Sequence, residues 1–165
     1  MKKILVASII LGALGLGLLI INNRKEGMII TLPKTKVVLY YYNPEKDKDE
    51  SGNIQCSRDG LVAIEREIPT TKTPIQDTIK LLITGQLTEE EKSQGITTEY
   101  PLEGFSFKGA SLKDEILTLE FEDPNYKTGG GSCRVGILWF QIEATAKQFS
   151  EVQEVRFLPE ELFQP

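Results

Sequence analysis

Apolar residues follow three kinds of spacing along this chain. From Ile4 to Ile21 they are nearly continuous: ILVASIILGALGLGLLII holds 18 residues without a charge, 14 of them apolar. Beyond residue 35 they fall into short strand-like runs and helical stripes. Lys36–Asn43 (KVVLYYYN) is β-branched and aromatic and stops at Pro44, which predicts a strand. In Leu61–Ile68, Val62, Ile64, Arg66 and Ile68 alternate with Leu61, Ala63, Glu65 and Glu67, giving a second strand closed by Pro69. A helix follows, with Ile75, Ile79, Leu82 and Ile83 at helical spacing, Thr73 as its cap, Pro74 at its first position and Gly85 as its stop.

Thr88-x-x-Glu91 has the form of a capping box and predicts a shorter helix ended by Gly95. Phe105–Leu112 and Ile116–Glu122 read as a hairpin that turns at Lys113–Glu115. Gly129–Gly131 and Ser132 lead into the longest helix, about Cys133–Phe149, striped by Val135, Leu138, Trp139, Ile142, Thr145 and Phe149. Val152–Leu158 closes the pattern as a strand. The order β-β-α-(short α)-β-β-α-β predicts an α+β domain, a mixed and largely antiparallel sheet with two main helices on one face. Residues 36–158 form that domain, 24–35 a polar tether and 159–165 a C-terminal tail.

The first run sets the expected location. At about 1.5 Å per residue it makes roughly 27 Å of helix, close to a bilayer core of about 30 Å. A cleaved signal peptide has a shorter apolar region and a small-x-small exit. Here Leu18, Leu19, Ile20 and Ile21 occupy the exit, so residues 1–23 read as an uncleaved N-terminal signal anchor, one transmembrane helix over about 4–21. Lys2, Lys3 and the amino terminus outweigh Arg24 and Lys25, which Glu26 partly offsets; this places the N-terminus in the cytoplasm and the domain outside the cell membrane.

Composition sharpens this picture. The 165 residues are 40% apolar, but outside the anchor the fraction falls to about 35%, lean for a globular domain. The chain carries 19 basic and 24 acidic residues; without Lys2 and Lys3 the part after residue 23 has a net charge of −7. A nucleic-acid partner is thereby disfavoured, since phosphate binding needs a basic surface. The chain has no histidine, which excludes Ser-His-Asp and Cys-His nucleophiles and every zinc site that needs imidazole. Outside the cytoplasm Cys56 and Cys133 are free to form a disulfide, closing a loop nominally worth about 4–5 kcal/mol by chain entropy. Two unpaired thiols would require the opposite membrane orientation.

Several segments offer candidate chemistry. Asp47-Lys-Asp49-Glu-Ser51-Gly52-Asn53-Ile54 matches the opening of a calcium loop, but the closing glutamate position holds Arg58 and the flanks are strands. Glu65 and Glu67 lie about 7 Å apart on one strand face, a spacing loosely compatible with an acid and base pair. Gly129-Gly130-Gly131-Ser132 before a helix offers amides to an anion, or simply a loose lead into a capped helix. Tyr40, Tyr41 and Tyr42 place rings on both faces of one strand, for the core or for a partner. The tail Glu160–Pro165 docks either on the domain or on a partner.

Taken in order, LVAIEREIP from Leu61, the helix ending LLITG, LTEEEKSQG with ITTEYP, LKDEILTLEFED, GGGSCR and FSEVQEVRFL resemble the GerMN domain family. The resemblance covers about residues 36–158. It departs at Gln86, where the family usually has proline, and at Asp114-Glu115, where an Asp-Gly or Asn-Gly turn is common. It implies a compact domain with both helix and sheet, similar to ring-building motifs of secretion and sporulation machinery, that works by protein contact or at the cell wall. It brings no catalytic residues and no cofactor or metal. The expected function is a non-catalytic, membrane-anchored interaction module of the cell envelope, with an envelope protein complex or peptidoglycan as partner. The alternatives are a wall-active hydrolase using Glu65, Glu67 or Asp123, and an extracytoplasmic sensory or ligand-binding domain.

Overall fold

The computed structural model describes residues 33–165. The anchor expected over residues 4–21, and nearly all of the tether, lie outside the described residues. Among the described residues no helix is long and apolar enough to cross a membrane.

The elements are β1 (Lys34–Tyr42), β2 (Leu61–Pro69), α1 (Pro74–Ile83), α2 (Glu89–Ser93), β3 (Ser106–Lys113), β4 (Ile116–Glu122), α3 (Ser132–Ala146) and β5 (Glu154–Leu158). Their order is the predicted one. The sheet differs: instead of one mixed sheet there are two, an antiparallel β1-β2 ribbon and a separate sheet ordered β3-β4-β5. In the second, β3 and β4 run antiparallel and β5 lies parallel to β4.

The reason lies on the second edge of β1. Gln148 accepts a hydrogen bond from the Val38 amide at 2.7 Å and donates one to the Val38 carbonyl at 2.6 Å. Thr145 accepts from the Tyr40 amide at 3.0 Å, and Tyr42 exchanges both main-chain bonds with Thr97. Those edge groups are satisfied without a neighbouring strand, so the ribbon ends there.

Local ends follow from hydrogen bonding. α2 closes the predicted capping box, Thr88 and Glu91 each bonding the other's amide. Thr73 stands at the start of α1 but makes no capping bond; its hydroxyl donates to Asp77 instead. α3 stops at Ala146 and β5 begins only at Glu154, because the intervening residues turn and bury Val152.

The predicted stripe of α3 faces inward: Val135, Leu138, Ile142 and Thr145 are buried, with Trp139 and Phe149 packed against the core. Phe105 stacks on Phe121 at 4.8 Å between centroids, and Phe157 meets both Trp139 and Phe163 edge-on at 5.7 and 5.0 Å. Phe163 belongs to the tail, which docks on the domain; Leu162 and Phe163 are core residues. Burying a side chain of that size stabilises by about 1.5–3 kcal/mol.

The β3-β4 hairpin turns where predicted, with Lys113 opposite Ile116 and both Asp114 (φ 50°) and Glu115 (φ 62°) left-handed. Such a turn favours glycine at its second position, and glutamate there is strained. Glu115→Gly is expected to stabilise the domain by roughly 0.5–1 kcal/mol, the relief exceeding the added chain entropy. A thermal melt should rise by a few degrees; an unchanged or lower midpoint would refute the strain.

Candidate functional site

The β1-β2 connection begins as a small hairpin, with Lys48 bridged to Ile54. Asp49 accepts hydrogen bonds from the amides of Ser51 and Asn53 and from the side chains of Asn53 and Gln55. Asp47 is buried and accepts from the Tyr42 hydroxyl, the Ser57 amide and the Ser57 hydroxyl. Donors from the chain itself therefore occupy the carboxylates of Asp47 and Asp49, two of the positions a calcium loop would present. Among the described residues no group of three or more His, Cys, Asp or Glu side chains is placed to hold a metal.

This connection is clamped to α3. Cys56 and Cys133 are bonded, their Cα atoms 5.2 Å apart. Arg58 pairs with Glu143 and lies 4.1 Å from the Phe140 ring centroid. Burial pushes the Asp47 carboxyl up, but the hydrogen bonds from Ser57 and Tyr42 outweigh it and hold the group below the usual carboxylate range. A folded-state value below the unfolded one contributes stability that is present above about pH 4 and is lost as pH falls through the folded value. Asp47→Asn is expected to cost about 1–3 kcal/mol at neutral pH, as loss of a buried charged acceptor does, and to flatten the acid limb of stability against pH. Urea titrations from pH 7 to 2.5 measure both; an acid limb as steep as that of the parent would refute the assignment.

Glu65 and Glu67 lie on the exposed face of the ribbon, each 3.0 Å from a lysine of β1, Lys36 and Lys34 respectively. The hydrogen bond from Lys34 holds the Glu67 carboxyl below its ordinary range. Arg66, which the alternation placed in phase with Val62, Ile64 and Ile68, forms a two-pronged pair with Glu91 at 2.8 and 2.7 Å, joining β2 to α2. The signal available in the sequence was an arginine in an apolar phase and a capping-box glutamate with an oxygen to spare.

Two of the three tyrosines serve the interior. Tyr41 is fully buried, and burial raises its hydroxyl to about 12. Tyr42 is held by Asp47, and Tyr40 is half-buried. The exposed ring is another one: Tyr126 is 87% accessible, on a backbone with φ 52°.

Tyr126 sits on a loop shaped by Asp123, whose carboxylate accepts from the Lys127 and Thr128 amides and the Thr128 hydroxyl. The glycines that follow are held from α3, where Arg134 donates to the Gly129 carbonyl and pairs with Glu99. Gly131 occupies the position before α3, and Ser132 is its first residue. Between this loop, the end of β4 and the tail lies a groove of about 990 Å³ bordered by Glu122, Pro124, Tyr126, Pro159 and Glu161. The structure thus brings the tail, distant in sequence, against Asp123 and the start of the glycine loop, and leaves Glu65 and Glu67 on another face.

Two small sheets, two main helices and a glycine loop leading into the longer helix define a mixed α+β domain of the GerMN type. The chain belongs to the Germane family, described as sporulation and spore germination, which matches residues 38–161. Its fold is similar to the tandem GerMN domains of the sporulation protein GerM from Bacillus subtilis, with a TM-score of 0.51 and 17% identity, covering 78% of this chain and 40% of that one. The first GerMN domain of the same protein aligns with a TM-score of 0.47 and 17% identity, over 76% of this chain and 86% of that one. At such identity the likeness describes the fold alone, and this chain spans two-fifths of the tandem-domain chain. No curated protein matches.

Proposed function

We propose that the chain is a non-catalytic interaction module of the cell envelope. In this reading residues 4–21 anchor it in the membrane with the N-terminus cytoplasmic, and the GerMN-like domain engages an envelope protein complex or peptidoglycan outside. The observation that supports the non-catalytic part is that the candidate acids are already engaged, Glu65 with Lys36 and Glu67 with Lys34, each at 3.0 Å. Among the described residues the carboxylates that depart from their ordinary range, Asp47, Asp49, Glu67, Glu89, Glu91 and Glu143, all depart downward. Glycoside hydrolysis needs one carboxylic acid held protonated by a raised value. Asp123, the third hydrolase candidate, spends its carboxylate on the loop that carries Tyr126.

Fractionation followed by crosslinking in native membranes and mass spectrometry tests the proposal. The chain is expected in the membrane fraction, crosslinked through the domain to envelope proteins or wall fragments. A cytoplasmic chain without such crosslinks, or release of labelled peptidoglycan by the purified chain, would overturn it.

A further inference from the structure

We propose that the free edge of β2 is a self-association surface, on which a second copy of this chain lays its own β2 antiparallel, about a two-fold axis at Ala63. The inference stands apart from the envelope partner proposed above.

The open groups follow from the register of the ribbon. Val38, Tyr40 and Tyr42 direct main-chain bonds to the far side of β1, so Val37, Leu39 and Tyr41 face β2 and meet Arg66, Ile64 and Val62. By alternation Leu61, Ala63, Glu65 and Glu67 direct theirs to the free edge. Two of those groups are already engaged: the Leu61 amide donates to the Arg58 carbonyl, and the Glu65 carbonyl accepts from Arg66 at 3.1 Å. The Leu61 and Ala63 carbonyls and the Ala63 and Glu65 amides have no partner among the described residues. Such an edge is a template for another strand.

The pattern is complementary to itself. With Ala63 opposite Ala63 of the second copy, each Ala63 amide meets the other Ala63 carbonyl, and each Glu65 amide meets the other copy's Leu61 carbonyl. The engaged Leu61 amide and Glu65 carbonyl then fall opposite one another, so neither faces an open group. Side chains agree with this register. Val62 opposes Ile64 on the face turned to the core, where both are half-buried, and Glu65 opposes Leu61. An axis at Ile64 would aim the Ala63 amide at the engaged Glu65 carbonyl, and an axis at Glu65 would set that carboxylate against its own copy. The far edge of β1 is closed by Gln148, Thr145 and Thr97, so pairing through the ribbon stops at two copies.

Sedimentation equilibrium of the full chain in detergent micelles tests the interface, and a concentration-dependent dimer is expected. Ala63→Glu and Ala63→Lys are each expected to weaken it at least about fivefold, because like charges then lie directly opposite. An equimolar mixture of the two variants is expected to restore it, since position 63 then faces its opposite charge. Ala63 is exposed, and circular dichroism confirms that both variants remain folded. Monomer at every concentration, a dimer that both variants leave intact, or a mixture that fails to recover would overturn the interface. A monomer whose β2 crosslinks to an envelope protein would overturn it in favour of a foreign strand, while the broader function stands.

Discussion

Gly85→Ala is expected to destabilise the domain by about 3–5 kcal/mol, the largest effect of any single methyl group here. A Cβ at this position would lie 1.7 Å from the carbonyl oxygen of Tyr100 and 2.2 Å from its carbonyl carbon. Both neighbours are backbone, so no side chain can swing aside. Gly85 also has φ +63°, the left-handed conformation that lets the chain leave α1 after Thr84. Tyr100 cannot retreat easily, because its ring is buried and its hydroxyl donates to the Leu138 carbonyl at 3.0 Å. Urea denaturation followed by circular dichroism gives the difference directly. A loss under 1 kcal/mol would mean that the α1 terminus and the Tyr100 segment are not packed as described.

Removing the disulfide ranks second. The bond joins positions 77 residues apart, and measured losses for such bonds run to about 2–4 kcal/mol, below the nominal chain-entropy value. The paired substitution Cys56→Ser with Cys133→Ser is expected to lower the melting temperature by roughly 10 °C for a domain of this size. Reductant should lower the parent chain to the same midpoint and leave the double variant unmoved. The Arg58–Glu143 pair spans the same two elements, but Arg58 is largely exposed and does not replace a covalent link. Equal midpoints with and without reductant would show that the bond adds nothing.

Much of this architecture was legible in spacing. The Thr88-Glu91 box, the turn at Asp114-Glu115, the α3 stripe and the stop at Gly85 are local patterns, set by residues three or four apart or by one backbone conformation. The two-sheet arrangement was not legible. It depends on Gln148 reaching Val38 across 110 positions, and a glutamine just past a helix looks like any solvated residue. Arg66 and Glu91 each carried a signal singly, but their partnership spans 25 positions and no local spacing reveals it. The tail offered just Leu162 and Phe163, too few apolar positions to show a period, yet both reach the core. The site followed the same division. Tyr40 to Tyr42 drew notice as a run, whereas Tyr126 stands alone between loop residues and becomes conspicuous only through its exposure.

The polar clamp on β1 has a mechanical meaning. Lys34 is the first residue of β1, so a pull directed along that strand loads it lengthwise. The ladder to β2 on one edge, and the bonds to Gln148, Thr145 and Thr97 on the other, then share the load in shear. Bonds loaded side by side yield together, unlike a hairpin peeled open from one end. A pull along the first strand is thus resisted on both of its edges at once.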